Sequence, residues 1–258
     1  MSYWVSAAEK IEENLRLKTP IVGIKFLSAP DFPEGCFRPS ERGFKMAMCQ
    51  AISFARRHGR TVGITLEDMN CPPAQILYGW AQYDFSEVVA AVGFARDIEV
   101  ARKQMEAIPK LEFGKYRAVL ISPVRLMDKE PDVAVIFGNP AQIGRLIHAR
   151  AYYGGEVEAK LQGKFATCGE AVIDPFMAKE CTVAIPGAGD RIYGALEDDE
   201  MLFGLHISWL ERIAEGLELA GKGAGITYPP RTNLFFEPRF PKFYREAQKK
   251  FRFPDESP

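Results

Sequence analysis

Three of the five cysteines occupy positions where thiol chemistry is plausible. Cys49 lies in "KMAMCQAISFA", Cys71 stands directly before Pro72-Pro73, and Cys168 lies in "ATCGEAV". Soft thiolate ligands favour iron–sulfur clusters or zinc. No pair has the tight spacing of a zinc ribbon or a ferredoxin, so such a site has to be assembled from separate elements. We therefore predict Cys49, Cys71 and Cys168 as metal ligands, with an iron–sulfur cluster or related redox cofactor as the bound group.

Local sequence places two of these thiols at helix starts. Thr167 and Glu170 form a capping-box pattern, which puts Cys168 at the first helical position. The prolines after Cys71 suit a first helical turn, so Cys71 is expected near an N-cap. The positive end of a helix dipole lowers a thiol pKa, and we expect these two thiols to ionise readily.

The other three cysteines carry less signal by themselves. Cys49 has apolar neighbours at helical spacing, which alone indicates a buried core thiol. Cys181 begins a strand and is expected in the core, whereas Cys36 falls in a loop. Cys49 gains interest only through its parallel with Cys168, given below.

The stretch "IPGAGDRIYGALEDDE" (185–200) is a second candidate site. Gly187 and Gly189 follow a strand and could expose backbone amides to an anion, and Arg191 could bind a carboxylate or phosphate. The stretch lacks the full dinucleotide fingerprint and the Lys-Ser/Thr of a phosphate loop. The acidic run Asp198–Glu200 is more typical of the solvated first turn of a following helix than of a cation site.

Alternating strand and helix patterns must position these residues. Strands are predicted at 20–27, 61–65, 117–124, 131–138 and 181–187, and helices at 44–58, 95–107 and 205–220. The order in the first half resembles that in the second. "CQAI" parallels "CGEAV", "TVGI" parallels "TVAI", "LYG" parallels "IYG", and 92–108 parallels 203–219.

These parallels predict an α/β (or α+β) fold from an internal duplication, with two similar halves packed about a pseudo-twofold axis. The predicted units are an N-terminal helix (1–18), a first α/β half (19–124), a second α/β half (130–222) and an extended C-terminal arm (223–258). Interfaces between such halves commonly hold a ligand. Cys49 and Cys168 would then occupy equivalent places.

Composition narrows the functional class. The chain has 258 residues and a net charge of −1, without clustered Lys or Arg, so nucleic acid is not an expected partner. No secretory signal is recognised at the N-terminus, and the apolar runs are too short for a membrane span. We expect a cytoplasmic protein with reduced thiols. Its expected partners are a small molecule or a redox protein, and its C-terminal arm is compatible with a homo-oligomer.

The segments "CQAISFARRHGRTVGITLEDMNCPPA", "CGEAVIDPF" and "GDRIYGALEDDEMLFGL" resemble the uncharacterised prokaryotic family called domain of unknown function 169, or archaeal conserved region. The resemblance covers roughly residues 10–225. Members often occur in anaerobes and archaea, which implies compatibility with an oxygen-sensitive cofactor. The resemblance implies no particular activity.

The sequence is therefore compatible with three different functions. The first is an iron–sulfur or related cofactor protein using Cys49, Cys71 and Cys168. The second is a non-catalytic module that binds a small anion at Gly187, Gly189 and Arg191. The third is a thiol-dependent enzyme with Cys168 or Cys71 as nucleophile, although no base is identified near either thiol. Whether the protein is an enzyme is left undecided.

Overall fold

The computed structural model describes residues 2–159, 167–230 and 240–251. Part of the predicted C-terminal arm, 231–239 and 252–258, lies outside the described residues. The described chain forms a mixed α/β fold with one seven-stranded sheet. Its strands are β1 Val22–Leu27, β2 Val62–Thr65, β3 Ala118–Pro123, β4 Val133–Gly138, β5 Glu158–Ala159, β6 Cys181–Ala184 and β7 Met201–His206.

Helices cover both faces of this sheet. The described helices are α1 Tyr3–Leu15, α2 Met48–His58, α3 Pro72–Leu77, α4 Ser86–Ala91, α5 Ile98–Ala107, α6 Pro140–Ala151, α7 Asp174–Ala178, α8 Ala188–Gly194, α9 Leu210–Leu219 and α10 Lys242–Gln248, of which α10 has no buried residue. A π-helical turn, Gly169–Ile173, precedes α7. No helix of the described residues is both long and apolar enough to cross a membrane.

Local sequence explains several helix boundaries. The Asn139 side chain accepts a hydrogen bond from the Gln142 amide, and Pro140 occupies the first turn of α6. Asp97 caps α5 in the same way, accepting from the Val100 amide. Helix α1 ends where Arg16 adopts a left-handed backbone conformation.

The sheet order is β2-β3-β1-β4-β7-β6-β5. All neighbouring strands are antiparallel except β5 and β6. At the centre, Gly23 of β1 lies opposite Ala134 of β4. Outward from this pair, the order β1-β3-β2 on one side matches the order β4-β7-β6 on the other.

The strands on the two sides of the β1–β4 pair also agree in their pairing register. Six residues of β1 pair with β3, and six residues of β4 pair with β7. Both β3 and β7 run directly into a 3₁₀ turn, Val124–Leu126 and Ile207–Trp209 respectively. Four residues of β2 pair with β3, and four of β6 pair with β7.

Each face of the sheet contacts its own apolar core. On the first face, β1, β2, β3 and β4 pack against residues of α2, α3 and α5 and of the π-helical turn. On the second face, β4, β6 and β7 pack against α1, α6 and α9. The amphipathic pattern of α1 fits this arrangement, since Ala8, Ile11 and Leu15 are almost fully buried.

The structure differs from the sequence prediction at the end of the second half. A single long helix was predicted at 205–220, but residues 201–206 form β7 and α9 begins only at Leu210. Strand β7 is buried on both faces, so it has the continuous apolar pattern that cannot distinguish a strand from a helix. The acidic run Asp198–Glu200 consequently precedes a strand, not a helix. The predicted match of 92–108 with 203–219 also pairs α5, which precedes β3, with α9, which follows β7.

Candidate functional site

A cavity of about 520 Å³ lies over the first face of the sheet. Its lining includes the side chains of Cys49, Cys71 and Cys168, which come from three different elements. Gly189 also lines it, from the glycine turn of the second half. The structure thus brings all three predicted thiols and one predicted glycine to a single cavity, whose volume falls within the range typical of small-molecule sites.

Asp68 fixes the loops that carry Cys49 and Cys71. Its buried carboxylate accepts hydrogen bonds from Arg38, from the amide and hydroxyl of Ser40, and from the amide and hydroxyl of Thr65. Burial alone would raise the pKa of Asp68, but these hydrogen bonds outweigh it and hold the pKa at about 2.

Backbone hydrogen bonds extend this link toward the cavity. The Met46 amide donates to the Asp68 carbonyl at 2.8 Å, and the Asn70 amide donates to the Met46 carbonyl at 3.1 Å. Met46 lies just before α2, whose second residue is Cys49, and Asn70 directly precedes Cys71. The two thiols of the first half are therefore held by one ordered pair of loops.

Cys71 is the N-cap residue of α3, with Pro72 in the first turn, as predicted. Cys168 differs from its prediction. Thr167 is already helical, so Cys168 is not the first helical residue, and the π-helical turn begins immediately after it. The Thr167 hydroxyl accepts from the Gly187 amide at 2.9 Å, and Glu170 is buried.

The elements that carry the thiols cross between the halves. Helix α2 packs on α8: the Cys49 thiol lies 3.7 Å from the Gly189 carbonyl oxygen, and the Ser53 hydroxyl donates to the Gly194 carbonyl. Reciprocally, the turn after Cys168 packs on α3. The buried Tyr78 hydroxyl, just beyond α3, donates to the Cys168 carbonyl at 3.5 Å.

Enclosure of the thiols determines their protonation. Burial raises the pKa of Cys49 to about 12, with the nearby Asp190 and Cys71 adding to the effect. Burial also raises the pKa of Cys71, and it raises that of Cys168 well above the ordinary value. The predicted lowering at helix starts is therefore wrong in direction, because desolvation of the thiolate exceeds the stabilisation by backbone amides. As folded here, the three thiols are neutral at pH 7.

Asp190 is a site residue that the sequence analysis did not single out. It lines the cavity, and only 7% of its surface is exposed. Its carboxylate accepts from the Gly187 amide at 3.1 Å and interacts with the Thr167 hydroxyl. Burial raises the pKa of Asp190, and these two hydrogen bonds oppose the rise. The available sequence signal was an acidic residue directly after Gly189, in the first turn of α8.

The walls of the cavity are mostly apolar. Helix α4 and its flanks contribute Phe85, Val88, Val92 and Phe94, and α8 contributes Ile192 and Tyr193. Several of these side chains also reach the surface, since Ile192 is 71% and Tyr193 59% exposed. Among the described residues that line the cavity, none is Lys, Arg or His.

Of the three residues predicted for the anion site, Gly189 lines the cavity, whereas Gly187 and Arg191 are not among its described lining residues. Gly187 is the N-cap of α8 and binds Thr167 and Asp190 through its amide. The Arg191 guanidinium binds the Glu197 carbonyl at 3.0 Å and Asp198 at 3.1 Å, and Arg191 is not among the described cavity-lining residues.

The acidic run makes ion pairs with four basic residues, Lys18, Arg56, Arg57 and Arg191. Glu200 is buried and binds Arg56 through both carboxylate oxygens, at 2.6 and 2.8 Å. Asp199 lies 3.9 Å from Lys18. Asp198 binds Arg191. The run therefore forms ion pairs that include a link between α2 and the residue before β7.

The remaining cysteines lie elsewhere. Cys181 is buried on the second face of the sheet, and Cys36 is half-buried in the loop before α2. Over residues 2–159, 167–230 and 240–251, no group of three or more His, Cys, Asp or Glu side chains is placed to hold a metal ion.

The fold and the site together define a mixed α/β protein with a cavity lined by three thiols and one carboxyl group. The chain belongs to the family called domain of unknown function 169, described as uncharacterised ArCR, whose model matches residues 10–216. It is also similar to an uncharacterised protein of Methanocaldococcus jannaschii, with 27% identity over 225 residues, covering 82% of this chain and 92% of that protein. No solved structure matches the chain.

Proposed function

We propose that the cavity holds an iron–sulfur cluster or a related redox cofactor through the thiolates of Cys49, Cys71 and Cys168. One observation carries this proposal: three cysteines that are 22 and 97 residues apart along the chain line the same cavity. Soft thiolate donors favour iron–sulfur chemistry. When bound, such a group would supply one-electron transfer.

The size of the cavity supports a polyatomic group. Its volume of about 520 Å³ is many times the roughly 30 Å³ share of a single water molecule. As folded, the described His, Cys, Asp and Glu side chains form no group of three or more that holds a single metal ion. Binding therefore requires the three thiol side chains to turn toward the bound group about χ1, the one side-chain bond that moves a cysteine sulfur. Ligation takes the thiolate form, and loading would release protons from thiols that burial keeps neutral.

The apolar wall has a role in the same proposal. Side chains of α4 and α8 limit water around the sulfur ligands, and a drier surrounding shifts the reduction potential of a bound cluster. Because the described lining residues include no Lys, Arg or His, the three cysteines and Asp190 are the anionic donors available there.

We also propose that the two halves arose by duplication and pack about a pseudo-twofold axis through Gly23 and Ala134. The matching strand orders and registers on the two sides of this pair support it. The reciprocal packing of α2 on α8, and of the Cys168 turn on α3, supports it further. The cavity then lies where ligand sites of duplicated proteins are common.

The test is anaerobic purification with iron, sulfide and zinc analysis and a visible spectrum. Wild-type protein is expected to be coloured and to contain iron and sulfide. Cys71→Ser and Cys168→Ser are expected to lose most of both, because each removes a soft ligand. Cys36→Ser is the matched control, since Cys36 lies outside the cavity lining. Colourless, iron-free wild-type protein after anaerobic reconstitution would overturn the proposal.

The two alternatives have weaker geometric support. An anion site at the glycine turn would rely on Arg191, whose guanidinium binds Glu197 and Asp198. A thiol nucleophile would need a lowered pKa, whereas burial raises the pKa of Cys71 and of Cys168. Rapid labelling of one cavity thiol by iodoacetamide at neutral pH would favour the enzyme alternative over the cofactor.

A further inference from the structure

We propose that Asp190 is the fourth protein ligand of the cofactor, completing a site of three thiolates and one carboxylate. This inference rests on the proposed function and deepens it. Three cysteines leave one coordination position of a four-iron cluster without a sulfur ligand from the protein. The structure places Asp190 in the same cavity as the three thiols.

Asp190 lines the same cavity as every thiol of the site. It contributes to the electrostatic surroundings of Cys49, Cys71 and Cys168, and also to those of the buried Tyr78. It also lines a small void beneath the main cavity together with Cys49 and Cys168. Asp190 therefore lines both spaces, the larger one with all three cysteines and the smaller one with two of them.

Hydrogen bonds orient the Asp190 carboxylate from one side. Oδ2 accepts from the Gly187 amide, and the Thr167 hydroxyl interacts with the same carboxyl group. Thr167 directly precedes Cys168 and also accepts from the Gly187 amide. A carboxylate has about four lone-pair positions, so these contacts leave capacity for a metal ion. Such outer contacts are typical of carboxylates that bind metals.

The balance of charge also favours a metal at Asp190. A carboxylate buried without a cation is costly, and binding a metal ion is one way to remove this cost. None of the described residues that line the cavity is basic, and the neighbouring Arg191 directs its guanidinium to Glu197 and Asp198. Arg191 acts on Asp190 through its charge, without a hydrogen bond to it. A metal ion in the cavity would add positive charge in direct contact with the carboxylate.

The position of Asp190 fits the asymmetry of the two halves. Cys71 is the N-cap of α3, and Gly187 is the N-cap of α8, the element packed on α2. The second half therefore lacks a thiol where the first half has Cys71. Asp190, three residues after Gly187, provides a donor from α8 instead. Oxygen is a harder donor than sulfur, so the metal at this position is expected to be held less tightly than the others.

The test compares anaerobically reconstituted wild type, Asp190→Asn, Asp190→Cys and Asp198→Asn, using iron and sulfide alone as the probe. Asp190→Asn retains the side-chain shape and loses the anionic ligand. Its iron-to-protein ratio is expected to fall below that of wild type, and its paramagnetic resonance spectrum is expected to change to that of a three-iron cluster. Asp190→Cys is expected to have the same iron-to-protein ratio as wild type, but an altered paramagnetic resonance spectrum. Asp198→Asn is the control, because Asp198 is on the surface and binds Arg191.

The outcomes separate this inference from the proposed function. Failure of wild type to bind iron overturns the proposed function and this inference with it. Normal loading of wild type, with identical iron ratio and spectrum in Asp190→Asn, overturns the inference alone. If circular dichroism shows that Asp190→Asn does not fold, Asp190→Cys decides: an altered spectrum supports ligation, and an unaltered spectrum contradicts it.

Discussion

At the residue scale, each cavity thiol experiences two opposing influences. Cys49, Cys71 and Cys168 all lie near the start of a helix or helical turn, where backbone amides favour a thiolate. The same thiols are enclosed by apolar side chains, and this enclosure raises the pKa of each one. The net result keeps the sulfur atoms protonated until a ligand supplies positive charge.

Asp68 gives a pH-dependent prediction at this scale. Its pKa is lowered from 3.8 to about 2, so its hydrogen bonds stabilise the fold above about pH 4, and this contribution is lost as the pH falls toward 2. Asp68→Asn is expected to lower the free energy of unfolding by roughly 2 kcal/mol near neutral pH. Urea unfolding between neutral and acid pH measures the difference.

The pH profile provides the control for this prediction. The difference between wild type and Asp68→Asn should shrink below about pH 4, because protonation of Asp68 removes the same charge that the substitution removes. A difference that stays constant down to pH 2 would contradict the assignment of the stabilisation to the ionised carboxylate.

At the element scale, the π-helical turn after Cys168 is placed by the strand beneath it. A Cβ atom at Gly204 of β7 would lie 2.1 Å from the Ala171 carbonyl oxygen. Only glycine therefore allows this turn to approach the sheet so closely. The Thr182 hydroxyl adds a hydrogen bond at 3.0 Å to the Glu170 carbonyl of the same turn. This close packing sets the depth of Cys168 in the cavity.

Gly204→Ala is expected to destabilise the protein by about 1–3 kcal/mol or more, because the contact is with backbone and cannot be relieved by side-chain rotation. Gly144→Ala is a matched control within α6, since nothing lies within 4 Å of a Cβ there. That control should be neutral or stabilising by up to about 1 kcal/mol. Thermal unfolding of both variants measures the contrast, and equal destabilisation would show that the close approach is not the cause.

At the scale of the whole molecule, the two halves depend on each other for their cores. The β1–β4 pairing joins them within one sheet, and α1 from the N-terminal region packs with α9 from the second half. The Arg56–Glu200 ion pair, buried on both sides, links α2 to the residue before β7. Separation would expose strand edges and apolar helix faces on both fragments.

A split between Asp128 and Lys129 tests this interdependence, because the loop there is exposed. Fragments 1–128 and 129–258 are expected to form a 1:1 complex when co-expressed, with the circular dichroism spectrum of the intact chain. Expressed singly, each fragment is expected to aggregate or remain unfolded. Size-exclusion chromatography measures the outcome, and a folded, monomeric single fragment would contradict it.

Regular elements with strong local signals were predictable from sequence. Pro72 after Cys71 located the start of α3, because capping and proline geometry act over a few residues. Strand β7 was missed because its residues are buried on both faces. The match of "TVGI" with "TVAI" aligns Val62 with Val183. In the sheet, the residue that corresponds to Val62 is instead Thr182, because Val62 pairs with the fourth residue of β3, Ile121, and Thr182 pairs with the fourth residue of β7, Gly204. Register is decided by pairing across the sheet, which a local match cannot reveal.

The sequence by itself determined the order of most helices and strands, the family, and three cysteines as the residues to examine. Only the tertiary structure decided that those thiols line one cavity, that Asp190 joins them, and that Arg191 binds Glu197 and Asp198. It also reversed the expected direction of the thiol pKa shifts. The physical reason is that capping and periodicity act between near neighbours, whereas burial and ligand geometry depend on residues brought together from distant parts of the chain.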